Sequence, residues 1–225
     1  VVFDSNHFSS PHEDLLTLDQ LLAHARAERV AFSDFNWSRL TSWRALLAGF
    51  YDVEEYRAAL DAINSVRIEF VAALGDAGAI APQALILAGW LASRLGWTSA
   101  TLPARAEKEE THSILMEKKG GRIELEFKSV ERPEMKPGRL ASVELKMLSG
   151  AGASFVVQRS SDGLYLESRA SLGDQMRGAR VLPVRNRSEA LLLGRELGII
   201  SHDVVYEEAV KTAAGMLKLM RDDAR

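Results

Sequence analysis

His112-Ser-Ile-Leu-Met-Glu-Lys-Lys-Gly-Gly-Arg-Ile-Glu-Leu-Glu-Phe-Lys128 reads as two strands and the turn that joins them. His112 to Glu117 and Arg122 to Lys128 flank Lys118-Lys119-Gly120-Gly121, and paired glycines supply the positive φ a tight hairpin turn needs. The same style continues downstream. Pro133 and Pro137-Gly138 interrupt the chain before a strand at Leu140 to Met147. Phe155 to Arg159 and Leu164 to Ser168 flank Ser160-Ser161-Asp162-Gly163, a second hairpin signal. Val181-Leu182-Pro183-Val184 is a last strand, expected at a sheet edge because proline cannot donate to a ladder. Residues 112–184 are therefore a β-meander.

Upstream the pattern changes. Val66-Arg67-Ile68-Glu69-Phe70-Val71 alternates strictly, so it is a strand with one face exposed. Ala81-Pro82 opens a helix that runs to Leu95 and closes at Gly96; Leu85, Ala88, Leu91, Ala92 and Leu95 share a face, and Ile86, Leu87 and Trp90 widen it, which makes the helix central. Val1 to Phe3 and Arg29 to Ser33 read as short strands, and a helix starting near Pro11 carries the stripe Leu15, Leu18, Leu22, Ala25. Asp34 or Asn36 caps a helix in which Trp43, Leu46, Leu47 and Phe50 recur on one face. A short helix follows Asp52, with Tyr56, Leu60 and Ile63 as its apolar edge. Thr98 to Thr111 reads as a polar connector. Ser188 and Asp203 cap two closing helices, the second striped by Tyr206, Val210, Ala213, Leu217 and Met220.

The expected fold is mixed α/β. A strand/helix half (1–97) joins the meander half (112–184), two helices (186–222) close the chain, and all 225 residues form one compact domain. The chain opens on Val1-Val2-Phe3, mid-strand and without methionine, which reads as the C-terminal portion of a longer protein.

Composition narrows the function. A net charge of -3 gives no electrostatic footprint for nucleic acid. No apolar run approaches the ~20 residues of a membrane-spanning helix. With no cysteine there is no thiolate nucleophile, disulfide or sulfur-ligated metal, which fits a reducing compartment. His7, His12, His24, His112 and His202 form no ligand-spaced pair, and no metal or cofactor is expected. Leu74-Gly75-Asp76-Ala77-Gly78 lies between strand and helix, where phosphates dock on free N–H groups, but it lacks the Gly-x-Gly-x-x-Gly pattern and reads first as a plain turn. There is no nucleophile elbow or Walker loop, and no catalytic residue is assigned.

What stands out is aromatic and basic. Trp37, Arg39, Trp43 and Arg44 crowd one segment, in residue types enriched at binding hot spots. Arg177, Arg180, Arg185 and Arg187 form a basic run with no acid between Asp174 and Glu189, suited to an acidic partner or a phosphate. Trp43, Phe50, Trp90 and Leu95 are expected in the core. Trp37 fits either a core or a contact, and Arg39 and Arg44 are the favoured contact residues.

Asn36-Trp37-Ser38-Arg39-Leu40-Thr41-Ser42-Trp43-Arg44, followed by Phe50-Tyr51-Asp52, resembles the signature segment of the OpcA family, the glucose-6-phosphate dehydrogenase assembly proteins. Gln83-Ala-Leu-Ile-Leu-Ala-Gly-Trp-Leu-Ala-Ser-Arg-Leu-Gly-Trp97 is similar to that family's central helix. Val205-Tyr206-Glu207-Glu208-Ala209 is similar to its closing helix, and Val1 to Ser5 to the strand that opens its C-terminal region. The resemblance covers essentially the whole chain. It implies a cytoplasmic, non-catalytic accessory subunit that binds and activates glucose-6-phosphate dehydrogenase in the oxidative pentose phosphate pathway. It also bears on redox control: without cysteine, these residues form no thiol switch. The alternative expectation is a sensor module that holds a sugar phosphate or nucleotide with the 75–78 loop and Arg39 or Arg44.

Overall fold

The computed structural model describes residues 1–28, 30–73, 78–101, 111–147, 152–184 and 202–223. The chain begins with β1 (Val2–Phe3), a single 3₁₀ turn (Ser5–His7), α1 (Pro11–Glu28), β2 (Ser33–Asp34), α2 (Phe35–Arg39), α3 (Thr41–Tyr51), α4 (Glu54–Asp61), β3 (Ser65–Phe70) and α5 (Pro82–Leu95). It continues through β4 (Thr98–Thr101), β5 (Thr111–Lys118), β6 (Gly121–Ser129), β7 (Leu140–Met147), β8 (Ala153–Arg159), β9 (Tyr165–Leu172) and β10 (Gln175–Pro183) to α6 (Val204–Asp223). The fold is mixed α/β, as the sequence pattern indicates.

Among the described residues one sheet has eight strands, in the order β10-β9-β8-β7-β3-β6-β5-β4. The strictly alternating strand β3 sits near its centre. It runs antiparallel to β7 and parallel to β6, with Ile68 opposite Val143 on one side and Phe127 on the other. Val66, Ile68 and Phe70 point into the core, while Ser65, Arg67 and Glu69 face the other way. Both hairpins form. Gly120 takes φ 88 in the β5–β6 turn and Gly163 takes φ 72 in the β8–β9 turn.

Apart from the adjacent pair Leu140 and Ala141 at the register shift of β7, the buried positions described in the large sheet alternate onto one face, and the helices cover it. α5 is the central helix: Ala84, Leu85, Ile86, Leu87, Ala88, Leu91 and Ala92 are all buried. It is closed by Gly96 in the left-handed region. α6 crosses it at Gly89, where any Cβ would overlap the carbonyl of Ala209. That close approach is what the glycine supplies.

The structure corrects four expectations. The tryptophan segment is two helices, not one. Leu40 N–H donates to both Asn36 and Trp37 carbonyls, and Thr41 Oγ1 donates back to the Ser38 carbonyl, which tightens the backbone into a corner. The strand expected over Arg29 to Ser33 is only Ser33–Asp34, paired in parallel with β1 as a separate two-stranded ribbon. The connector begins with a strand, because Thr98–Thr101 pairs with β5. The last strand starts at Gln175, well before Val181, with a register shift between Met176 and Gly178. The helix expected after Ser188, the charged run Glu107–Glu110 and residues 74–77 lie outside the described residues.

Candidate interaction surface

Two regions carry the sequence-predicted contact residues, and they differ in kind. The first is the corner between α2 and α3. Asp34, the last residue of β2, caps α2 by accepting from Asn36 N–H at 2.9 Å. Its carboxylate also accepts from Ser5 N–H at 3.0 Å, from Ser5 Oγ at 2.7 Å and from the Tyr206 hydroxyl at 3.1 Å. Asn36 Nδ2 donates to Ser5 Oγ and completes the buried network. Burial pushes the Asp34 carboxyl up to about 6, against the Ser5 and Asn36 hydrogen bonds, which pull it down. Tyr206 is raised as well, first by burial and then by the neighbouring Asp34 charge.

Trp37 belongs to the same region. It is 6% exposed, its ring centroid lies 5.4 Å from that of Tyr206, and its Nε1 donates to Asp203 Oδ2 at 2.7 Å. Asp203 Oδ1 accepts from Tyr206 N–H and so caps α6. The Arg44 guanidinium lies over the Trp37 ring, 3.4 Å from its centroid, a cation–π contact. Arg39 Nη1 donates to Asp4 Oδ1 at 2.7 Å, in a pair whose side chains are 17% and 9% exposed. Burial alone would raise the Asp4 carboxyl, but Arg39 and the Asn6 N–H hold it below its usual range. Trp37, Arg39 and Arg44 thus bind the β1–β2 ribbon, the helical corner and α6 to one another. Trp43 is 1% exposed, Phe50 is buried, and Trp90 and Leu95 pack partly buried against the core. The Asp34–Tyr206 and Trp37–Asp203 bonds span most of the chain, and neither partner was signalled as a pair by sequence spacing.

The second region is the open face and free edge of the sheet. Its polar side chains pair among themselves, either across strands or two residues apart along one strand. Arg67 meets Glu126 at 2.9 Å, Lys146 meets Glu144 at 2.9 Å and Arg169 meets Glu167 at 2.9 Å. Ser142 Oγ donates to Glu69 at 2.8 Å. Strand β10 departs from this self-neutralised pattern. Among the described residues Arg177 and Arg180 have no acidic partner, and Met176 (67% exposed) and Val181 (59%) stand in solvent. Leu164, Tyr165 and Leu182 are exposed beside them. Arg180 reaches back across α3, where Gly49 leaves room for its guanidinium. Arg185 and Arg187 lie outside the described residues. Of the 75–78 loop only Gly78 is described, its carbonyl held by His112 Nε2 at 3.0 Å. His12 Nε2 accepts from Ile80 N–H, and His7 lies toward Asp4.

The proteins that this chain is similar to in sequence agree with one another. The sequence profile of a family described as the C-terminal domain of the glucose-6-phosphate dehydrogenase subunit matches residues 30–210. The provisionally named OxPP cycle protein OpcA of Synechocystis sp. is 30% identical over 223 residues, covering 97% of this chain and 45% of that protein. Its namesake from Nostoc punctiforme is 29% identical over 230 residues, covering 97% and 46%. The chain thus spans about half the length of the curated relatives it matches. Among solved structures, the provisionally named oxidoreductase yvaA from Bacillus subtilis superposes with a TM-score of 0.54 over 100% of this chain and 72% of that one. At 14% identity that likeness concerns the fold alone. The match across residues 30–210, most of the chain, settles the family: this chain belongs to the OpcA family.

Proposed function

We propose that this chain is a non-catalytic, cytoplasmic accessory region that binds glucose-6-phosphate dehydrogenase and favours its active state in the oxidative pentose phosphate pathway. The family match over residues 30–210 is the observation that carries this reading. The relatives' naming for the OxPP cycle supports the pathway. The surface chemistry suits a binding role, because guanidiniums and apolar side chains gather at the free sheet edge. In this reading Arg177 and Arg180 face the partner, while Trp37, Arg39 and Arg44 support the surface from within. No cofactor, nucleic acid or membrane takes part.

An activator must bind the active state of its enzyme more tightly than the inactive one; each tenfold difference in affinity shifts that equilibrium by about 1.4 kcal/mol. The test mixes the purified chain with the dehydrogenase of the same organism. The expected result is a co-eluting complex together with a lower glucose 6-phosphate concentration for half-maximal rate. Separate elution at micromolar concentration, with an unchanged substrate dependence, would overturn the proposal.

A further inference from the structure

We infer that the free edge of β10 is the docking strand, and that it takes up an extended, acid-bearing segment of the dehydrogenase by strand addition; this rests on the accessory reading above. Three observations converge on the edge. The first is the direction of its backbone groups. Val184 N–H donates to the Leu164 carbonyl at 2.6 Å, and the register runs Leu182 with Leu166, Arg180 with Ser168 and Gly178 with Ala170. In an antiparallel ladder hydrogen-bonded pairs alternate, so these even-numbered residues turn their N–H and C=O groups toward β9. Ala179 and Val181 turn theirs outward, and among the described residues no strand pairs with them.

The second observation is how the two edges of the sheet differ. Proteins blunt exposed edges by keeping them short, charged or interrupted by proline. The β4 edge has four residues, whereas β10 has nine, nearly all exposed. Its proline and its bulge sit at the two ends, Pro183 and Met176/Gly178, and leave Gly178 to Leu182 as an open template. The third is charge. Acids and bases on the open face neutralise one another, whereas Arg177 and Arg180, the latter turned to the helix side against Gly49, have no described acidic partner. Two copies set edge to edge would bring four arginines into one seam. The same charges favour a partner of opposite sign. With a side-chain period of two, the incoming segment would place apolar residues beside Ala179 and Val181 and a carboxylate beside Arg180.

The geometry supplies a selective variant. Val181→Pro removes an outward donor but no ladder bond, and Pro183 already occupies an equivalent outward position in the same strand. Wild type, Val181→Pro and Arg177→Glu are compared for dehydrogenase binding, with thermal unfolding as the folding control. Hydrogen exchange at the Ala179 and Val181 amides is followed in the free and bound chain. The expected result is binding weakened about tenfold in each variant, as loss of one backbone hydrogen bond or one charge contact implies, with unchanged unfolding. Both amides become protected only in the complex. Wild-type binding that both variants retain within twofold, or Val181 exchange that binding does not slow, would overturn the docking strand and leave the accessory role standing. A wild-type chain that fails to bind sinks both. Edge amides protected in the chain alone, with a dimer that Val181→Pro dissolves, would overturn the proposal in favour of a second copy as occupant.

Discussion

Asp34 shows what a single residue does in this fold. A fully buried carboxylate with four hydrogen-bond donors can stay ionised, but burial still raises its pKa from 3.8 to about 6. The sign follows from proton counting. Between those two values the native state holds a proton that the unfolded state has released, so stability falls as pH rises through that window. Below it both states are protonated and above it both are ionised, and a rise of about two pKa units amounts to about 3 kcal/mol. Asp34→Asn removes the titration and keeps the shape. Wild type should lose stability relative to Asp34→Asn by about that amount between pH 4 and pH 7. Denaturant titrations at several pH values would measure it, and a gap that stays constant or widens in wild type's favour refutes the assignment. At this scale the sequence was half legible. Asp34 was recognisable as a helix cap, and Trp43 as a core residue from its helical face. The fate of Trp37 was not, because its partner Asp203 lies 166 positions away and nothing local announces that bond.

Secondary-structure elements were legible wherever a local device set their limits. Paired glycines, Ser160-Ser161-Asp162-Gly163, Pro82 and Gly96 each act within a few residues, and each marked an element that exists. Strand β10 was read too short because alternation marks a strand only when one face is buried. This strand has no buried position to set the alternation, and its register shifts near Gly178. The corner at Leu40 was missed because Leu40, Thr41 and Ser42 are all compatible with a continuous helix, and the bend comes from a side chain returning to the backbone. Two helical glycines separate tertiary from intrinsic effects. At Gly89 an added Cβ collides with the backbone of α6, whereas at Gly215, within α6, it would meet nothing within 4 Å. Gly89→Ala should therefore destabilise by about 1–3 kcal/mol through overpacking. Gly215→Ala should stabilise by about 0.5–1 kcal/mol through helix propensity. Shifts of opposite sign in thermal midpoint are the expected outcome; a Gly89→Ala chain as stable as wild type would remove the crossing from the account.

Strand order belongs to the molecule and not to any segment, which is why no local pattern disclosed it. The alternation of Val66 to Val71 said that β3 has one buried face, but not that its edges are filled by β6 and β7, roughly sixty to eighty residues downstream. That placement has a mechanical consequence. β3 arrives from the strand/helix half and is hydrogen-bonded on both sides to the meander half. α5 and α6 lie over the same buried face and are joined through Gly89. Neither half keeps a finished core if the other opens, so helix and sheet should be lost in one cooperative transition. Ile68 is the residue to probe, since it is fully buried in the middle of β3. Ile68→Ala should cost about 2–5 kcal/mol through lost burial and the cavity left behind. The loss should fall equally on both halves. The far-UV circular dichroism midpoint, which follows the helices, and the midpoint of the fluorescence of the four tryptophans, which follows packing, should move down together. If the β-meander persisted after the tryptophan signal had collapsed, the sheet would be the more independent unit, and β3 an addition to it instead of the strand that joins the halves.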